Sequence, residues 1–297
     1  MKIEVINEGE RLDAFLADSY KEMSRNLISK LIKNGDVLVN GNTAKSSYKI
    51  KIGDIIEVNY VEEIDEIVSE KMDLDIIYED DYIIVLNKAN GVVVHPANGN
   101  NHGTLVNGLI SYTSNLSDVN GKNRRGIVHR LDACTTGLLL IAKNNEVHNA
   151  IAKQLAERKV TRVYEALVWG VIPNDTGTIE APIGRSTTDR KKMAVTEVNS
   201  KEAITHFRVL ERYDKATLIE AKLETGRTHQ IRVHMDYIGF PVVNDPVYGR
   251  RKKIDETGQC LHAKKLGFVH PITNQYMEFT SEIPKCFQDV LEQFKNE

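Results

Sequence analysis

The sequence predicts an α+β protein of two domains, a small unit of helices and β-ribbon followed by a larger, strand-rich one. The length of 297 residues supports this, being long for one small core. So does a change of pattern: the first sixty residues hold two amphipathic helical runs and a ribbon, whereas from about Ile76 strand-like runs dominate. Between the two, residues 61–75 (VEEIDEIVSEKMDLD) carry seven acids against one lysine, as an acidic linker would. That stretch holds −6 of a net charge of −3, so the rest of the chain carries +3, which permits RNA as a partner without establishing it.

Residues 10–18 read as a short helix with Leu12, Phe15 and Leu16 on one side. Ser24 is the expected N-cap of a second helix, with Leu27, Ile28, Leu31 and Ile32 on one face and Gly35 ending it. DVLVNG then alternates into an Asn40-Gly41 hairpin turn, and KIGDIIEV over 51–58 gives a further strand. In the second domain, 76–91 predicts a hairpin around Glu79-Asp80-Asp81. Leu138–Ala142 predicts a strand buried on both faces. Asn145 is the expected cap of a helix holding Val147, Ile151 and Leu155. The segments 164–170, 203–210 and 216–223 read as strands, and "LETGRTHQIRVHMDYIG" as a helix capped by Thr228 and stopped by Gly239.

Composition is that of an ordinary globular chain, 41% hydrophobic and 27% charged, which argues against disorder. Cys134, Cys260 and Cys286 lack metal-type spacing, and no HExxH-like pattern joins the histidines, so no metal is expected. No apolar run approaches a bilayer span and none of signal-peptide type follows Met1, so the chain is expected to be cytoplasmic and off the membrane.

"HRLD" at 129–132 places a histidine, an arginine and an aspartate just before the apolar strand. In an extended segment Arg130 and Asp132 share a face, and an arginine beside a carboxylate keeps it ionised, which suits a nucleophile. A structural ion pair fits these four residues equally. His229, Gln230, Arg232 and His234 make the later helix too polar for an idle core element and suggest a phosphate-facing one. Tyr164 at a strand start is either a half-buried packing residue or a ring for a base to stack on.

These fragments occur together and in order with "EDDYIIVLNKANGVVVHP", "HGTLVNGL", "GIVHRLDACTTGLLLIAK", "RKVTRVYEALVWG", "APIGR", "DPVYGR" and "LHAKKLGFVHP". The chain thereby resembles the RluA-type pseudouridine synthases, and among them the S4-containing, RluD-like members. The resemblance runs nearly end to end. It implies an S4-like RNA-binding domain over 1–60, a linker over 61–75, and a catalytic domain over 76–297 with a mixed, largely antiparallel central sheet flanked by helices and loops. It implies Asp132 as nucleophile on a flipped-out uridine, attacking C1′ or C6. Arg130 would enter the space left by the base, Tyr164 would stack on it, Arg227 would pair with Asp132, and Leu261, His95 and Lys88 would stand around the substrate.

In the small domain the resemblance implies an RNA face of Arg11, Ser24, Arg25, Lys30, Lys33, Asn40, Lys45 and Lys49. The reaction is an isomerisation, so no cofactor is implied. The expected partner is structured RNA, most simply large-subunit ribosomal RNA, met by a monomer. Transfer RNA, another small RNA, or a non-catalytic role in ribosome assembly stand as alternatives, and a hydrolase using the histidines with Asp132 as a weaker one. The basic runs Arg124-Arg125, 190–192 and 250–253 are placed around the RNA path. The motifs depart from the family form at Ala133, Cys134 and Thr136, where HRLDKxTSG is usual, at Ala89 for a proline, and at Asn244 for a glycine.

Overall fold

The computed structural model describes residues 2–20, 23, 25–60, 67–96, 100–189, 192–249 and 253–295. The chain divides after residue 66 into two compact units.

The first unit has β1 (Lys2–Glu4), α1 (Leu12–Ser19), α2 (Arg25–Asn34), β2 (Val37–Val39), β3 (Asn42–Thr43) and β4 (Ile55–Val58). Its sheet runs β1-β4-β2-β3. Leu12, Leu16, Ile28, Leu31 and Ile32 bury the apolar faces of both helices against Val37, Val39 and Ile56. The β2–β3 turn has Asn40 and Gly41 both at positive φ, 52° and 77°, the conformation a tight hairpin requires. The expected cap Ser24 lies outside the described residues.

The second unit is built from β5 (Ile76–Glu79), β6 (Ile83–Lys88), α3 (Leu105–Tyr112), β7 (Thr136–Ala142), α4 (Asn145–Ala156), β8 (Thr161–Trp169), β9 (Thr176–Glu180), β10 (Ile183–Arg185), β11 (Met193–Val195), β12 (Ile204–Arg212), β13 (Ala216–Leu223), α5 (Gln230–Tyr237), β14 (Leu261–Val269), β15 (Tyr276–Thr280) and α6 (Lys285–Lys295). A nine-stranded sheet runs β5-β6-β7-β14-β8-β13-β12-β9, with β15 pairing β14. Among the described strands only β7 and β14 pair in parallel, so the sheet is mixed and largely antiparallel, and the α+β class holds.

β7 is buried along its whole length because both faces carry a core. Leu139 and Ile141 join one cluster, and Leu138, Leu140 and Ala142 the other. Gly137 opens this strand at φ 108°, and a Cβ there would collide with the Ala263 backbone of β14. The parallel pairing beside Asp132 therefore depends on the missing side chain.

The linker expected over 61–75 is corrected for residues 67–75, which pack into the second unit. Ile67, Met72 and Leu74 cover its core. Glu70 accepts from Gly103 N–H at 2.8 Å and pairs with His102. Residues 61–66 lie outside the described residues. Two expected caps move by one position: Asn144, not Asn145, caps α4 by accepting from Val147 N–H at 2.9 Å, and His229, not Thr228, precedes α5.

Candidate active site

Asp132 sits in the loop between an isolated bridge at Ile127 and the start of β7. This segment bends at 128–129 and is not the extended strand the alternation suggested. Leu131 still points into the core, while Arg130 and Asp132 line a cavity of about 350 Å3 in the second unit. Arg162, Tyr164, Arg227 and His129 share its wall. A smaller recess of about 50 Å3 adjoins it, where Asp132, Tyr164 and Leu261 come together.

Two clamps fix the loop on either side of Asp132. Lys88, only 2% exposed, donates to the carbonyls of Ala89, Val92 and Ala133 at 2.8, 2.9 and 2.7 Å. Burial pushes its ammonium down to about 8, against the opposing pull of the Cys134 and Asp132 charges. On the other side Arg130 Nη1 donates to His95 Nε2 at 3.1 Å, while His95 Nδ1 donates to the Pro96 carbonyl at 3.2 Å. Burial, then the Arg130 charge, hold His95 below its ordinary range, so the ring is neutral and its tautomer fixed. Lys88 and His95 were expected at the substrate. With three donors and both ring nitrogens already bonded, they act on the loop instead. His129 also belongs to the scaffold: its Nε2 accepts from Leu140 N–H at 3.0 Å, and burial, then Arg162, push it down to about 3.

The expected pair between Asp132 and Arg227 is corrected. Arg232 Nη1 donates to Asp132 Oδ2 at 2.8 Å, whereas Arg227 Nε donates to the Glu202 carbonyl and lines the cavity. Arg232 is buried and bridges two carboxylates, since its Nε and Nη2 hold Asp245 at 2.7 and 2.9 Å. It also packs over the Tyr248 ring, 5.2 Å from the centroid. Burial works against the Arg232 charge, but the two carboxylates raise its pKa above the ordinary value. Asp245 accepts further bonds from Val247 and Tyr248 N–H. A guanidinium held by a second, buried carboxylate has one orientation, and that orientation serves Asp132.

The other Asp132 oxygen, Oδ1, is 3.7 Å from His229 Nε2, too long for a hydrogen bond. His229 stands in the left-handed region at φ 58°, with Nδ1 bonded to the Tyr248 hydroxyl at 2.8 Å. Oδ2 is thus occupied, while Oδ1 accepts no hydrogen bond among the described residues.

The polar residues of α5 do not face phosphate. Gln230 and His234 are buried, and each is bonded within the fold. Gln230 ties Thr225 and Arg227 N–H to Ile204 and Thr205 of β12. His234 bonds Thr205 and the Ala181 carbonyl, and His262 bonds Thr136 and Ser281. Asp245 and Tyr248 went unassigned in the sequence, and Arg232 was read only as part of a phosphate-facing helix. The available signals were the i, i+3 spacing of His229 and Arg232 on one helix face and the acid and aromatic in "DPVYGR".

Two motif departures find an account here. Asn244 adopts φ 60°, a region asparagine tolerates, and its amide bonds Asp255 and Ile254, so a glycine is not needed. Cys134 packs against Gly258, where a Cβ would lie 2.7 Å from its Sγ.

In the first unit Arg25, Lys30, Lys33, Lys45 and Lys49 are exposed, and among the described residues their side chains form no ion pair. Arg11 is exposed but paired with Asp13 through two bonds of 2.9 and 2.8 Å. Asn40 is corrected: its amide donates to Asp54 and accepts from Ile55 N–H, so it locks the hairpin and has little left for RNA. Of the basic runs, Arg124, Arg125, Lys192 and Lys253 are described, the last paired with Glu256, and the remaining members lie outside the described residues.

Asp132, held by the Arg232–Asp245 clamp, thus shares with Tyr164 the wall of one cavity on the mixed sheet. The family model described as RNA pseudouridylate synthase matches residues 82–237, and that of the S4 domain matches 10–56. An uncharacterised RNA pseudouridine synthase of Bacillus subtilis is 50% identical over 97% of this chain and 95% of its own. The ribosomal large subunit pseudouridine synthase D of Pseudomonas aeruginosa is 42% identical over 94% of this chain and 90% of its own. Among solved structures, human RNA pseudouridylate synthase domain containing 1 superposes with a TM-score of 0.57 at 25% identity, covering 76% of this chain and 96% of that one. The chain belongs to the RNA pseudouridylate synthase family and carries an S4 domain.

Proposed function

We propose that this pseudouridine synthase isomerises particular uridines of large-subunit ribosomal RNA, with Asp132 as the nucleophile. The observation that carries the reading is the pairing of Asp132 Oδ2 with Arg232 at 2.8 Å, while Oδ1 accepts no hydrogen bond among the described residues and Asp132 lines the cavity. The clamp fixes the direction of the carboxylate, which an attack on C1′ of the ribose or C6 of the base requires. Attack at C1′ forms an Asp132 ester as the N1–C1′ bond breaks; the base turns, C5 bonds to C1′ and displaces the Asp132 carboxylate, the C5 proton is lost and N1 takes one up. Attack at C6 instead joins Asp132 to the ring, and that bond breaks again once C5 has bonded to C1′. A uridine stacked in a helix is out of reach of a carboxylate at a cavity wall, so the nucleotide enters flipped out.

Tyr164, buried in β8 on the same wall, offers its ring to the uracil. Burial raises its phenol above the ordinary range, so it acts as a neutral hydroxyl near pH 7. Leu261 supplies an apolar contact in the adjoining recess. Arg130, exposed and tethered to His95, is positioned to enter the space the base leaves. Arg25, Lys30, Lys33, Lys45 and Lys49 provide free cations for RNA phosphate on the first unit. The choice of RNA rests on relatives named for the ribosomal large subunit.

The test is direct. Purified protein is incubated with transcripts of large-subunit ribosomal RNA and of transfer RNA, and pseudouridines are mapped. Product at discrete sites of the ribosomal transcript is expected. Product in transfer RNA alone would move the substrate class, and none in either would favour an assembly role.

A further inference from the structure

Arg162 is a buried charged group of the second unit that the fold leaves incompletely satisfied. It is 8% exposed, and its Nε is buried without any hydrogen-bond partner. Its one bond within the fold runs from Nη2 to the Glu224 carbonyl at 3.2 Å, and among the described residues no carboxylate pairs with it. The Glu224 carboxylate beside it is taken by Arg158 and His206. Burial lowers the Arg162 pKa, and the neighbouring Arg227 charge lowers it further. The guanidinium packs against bare backbone: a Cβ at Gly226 would lie 2.5 Å from Arg162 Nη1.

This side chain lines the cavity that holds Asp132 and Tyr164, together with Arg130 and Arg227. Three arginines therefore face one cavity whose carboxylate, Asp132, is already paired with Arg232. A cation kept this dry without a partner costs stability in the empty protein, and an anion arriving in the cavity repays it.

We propose that Arg162, with Arg227, forms the seat for a backbone phosphate of the RNA adjoining the flipped nucleotide. This rests on the reading of the cavity as the uridine site. The phosphodiester is the anion that a flipped nucleotide brings with it, and a planar guanidinium offers it paired donors. Seating the phosphate fixes the backbone on the β8 side of the cavity, and thereby where the ribose stands relative to Asp132.

The inference separates binding from folding, so full-length Arg162→Met and Arg162→Lys are compared with wild type in three measurements. These are the thermal midpoint without RNA, KM and kcat on the large-subunit ribosomal transcript, and the salt dependence of affinity. For Arg162→Met the midpoint is expected to stay level or rise, KM to increase about 10- to 100-fold, and the slope of log K against log salt to lose about 0.7 to 0.9. Arg162→Lys is expected to recover most of the slope and part of KM. A fallen midpoint with KM and slope unchanged would make Arg162 a structural residue and overturn the inference. If Arg162→Met does not fold, Arg162→Gln takes its place, and a wild-type KM and salt slope in that variant overturn the inference too. Wild-type protein that makes no pseudouridine on the transcript would instead contradict the functional reading, and the phosphate seat with it.

Discussion

The two units use positive charge in opposite ways. On the first, Arg25, Lys30, Lys33, Lys45 and Lys49 are exposed and have no acidic partner among the described residues. At the cavity of the second, Arg232 is buried with every polar edge assigned, two to Asp245 and one to Asp132. A solvated lysine contributes to affinity in a way salt screens, and it tolerates loss. A buried, fully bonded arginine contributes orientation, and removing it strands two carboxylates. The small unit is thus suited to holding RNA, and the large one to aiming a reactive group.

The largest effect is expected at Asp132, the proposed nucleophile. Asp132→Asn keeps the shape but loses the charge, and turnover is expected to fall below detection while RNA affinity, read by filter binding, stays within about twofold. Arg232→Met comes next. It leaves buried Asp245 without its cation, and urea denaturation is expected to show a loss of about 3 to 5 kcal/mol, with turnover falling alongside.

A smaller effect is expected from Lys30→Gln combined with Lys33→Gln: kcat unchanged, affinity reduced, and the salt slope shallower by roughly 1 to 2. A changed kcat with an unchanged slope would reverse the division between the units.

His129 sharpens the comparison through pH. Its folded pKa lies near 3, below the ordinary value of 6.5, so between these values the unfolded chain binds more protons. The contribution of the neutral ring is complete above pH 6.5 and drains away as pH falls toward 3. His129→Gln removes this term, and its urea midpoint is expected to decline less over that window than the wild-type midpoint.

Much of the fold was legible because period and punctuation agree. β7, the β5–β6 hairpin and both helices of the first unit follow from apolar spacing and from glycines at 35 and 41. α6 carries Phe287, Val290, Leu291 and Phe294 at helical spacing and was readable but unread. β1 is three residues long and lacks a period to detect. α3 begins with Thr104 and Asn107 in a capping box, a signal weaker than the usual glutamate form.

That Asp132 and Tyr164 meet at one cavity was legible through motif order. The partner of Asp132 was not, because residues 132, 232 and 245 meet only through the fold, and both Arg227 and Arg232 stand in one motif. The polarity of α5 misled for a related reason. A buried helix with its own internal hydrogen bonds has the same composition as one that faces phosphate, and Gln230 and His234 are of the former kind.

The central claim is that Asp132 converts a flipped uridine in large-subunit ribosomal RNA. Pseudouridine mapping of total RNA from cells carrying wild-type protein, no protein, or the Asp132→Asn protein at equal levels tests it most directly. Specific large-subunit sites are expected with the wild type and in neither of the other two. The same sites persisting in cells with only the Asp132→Asn protein, but lost without the protein, would contradict it.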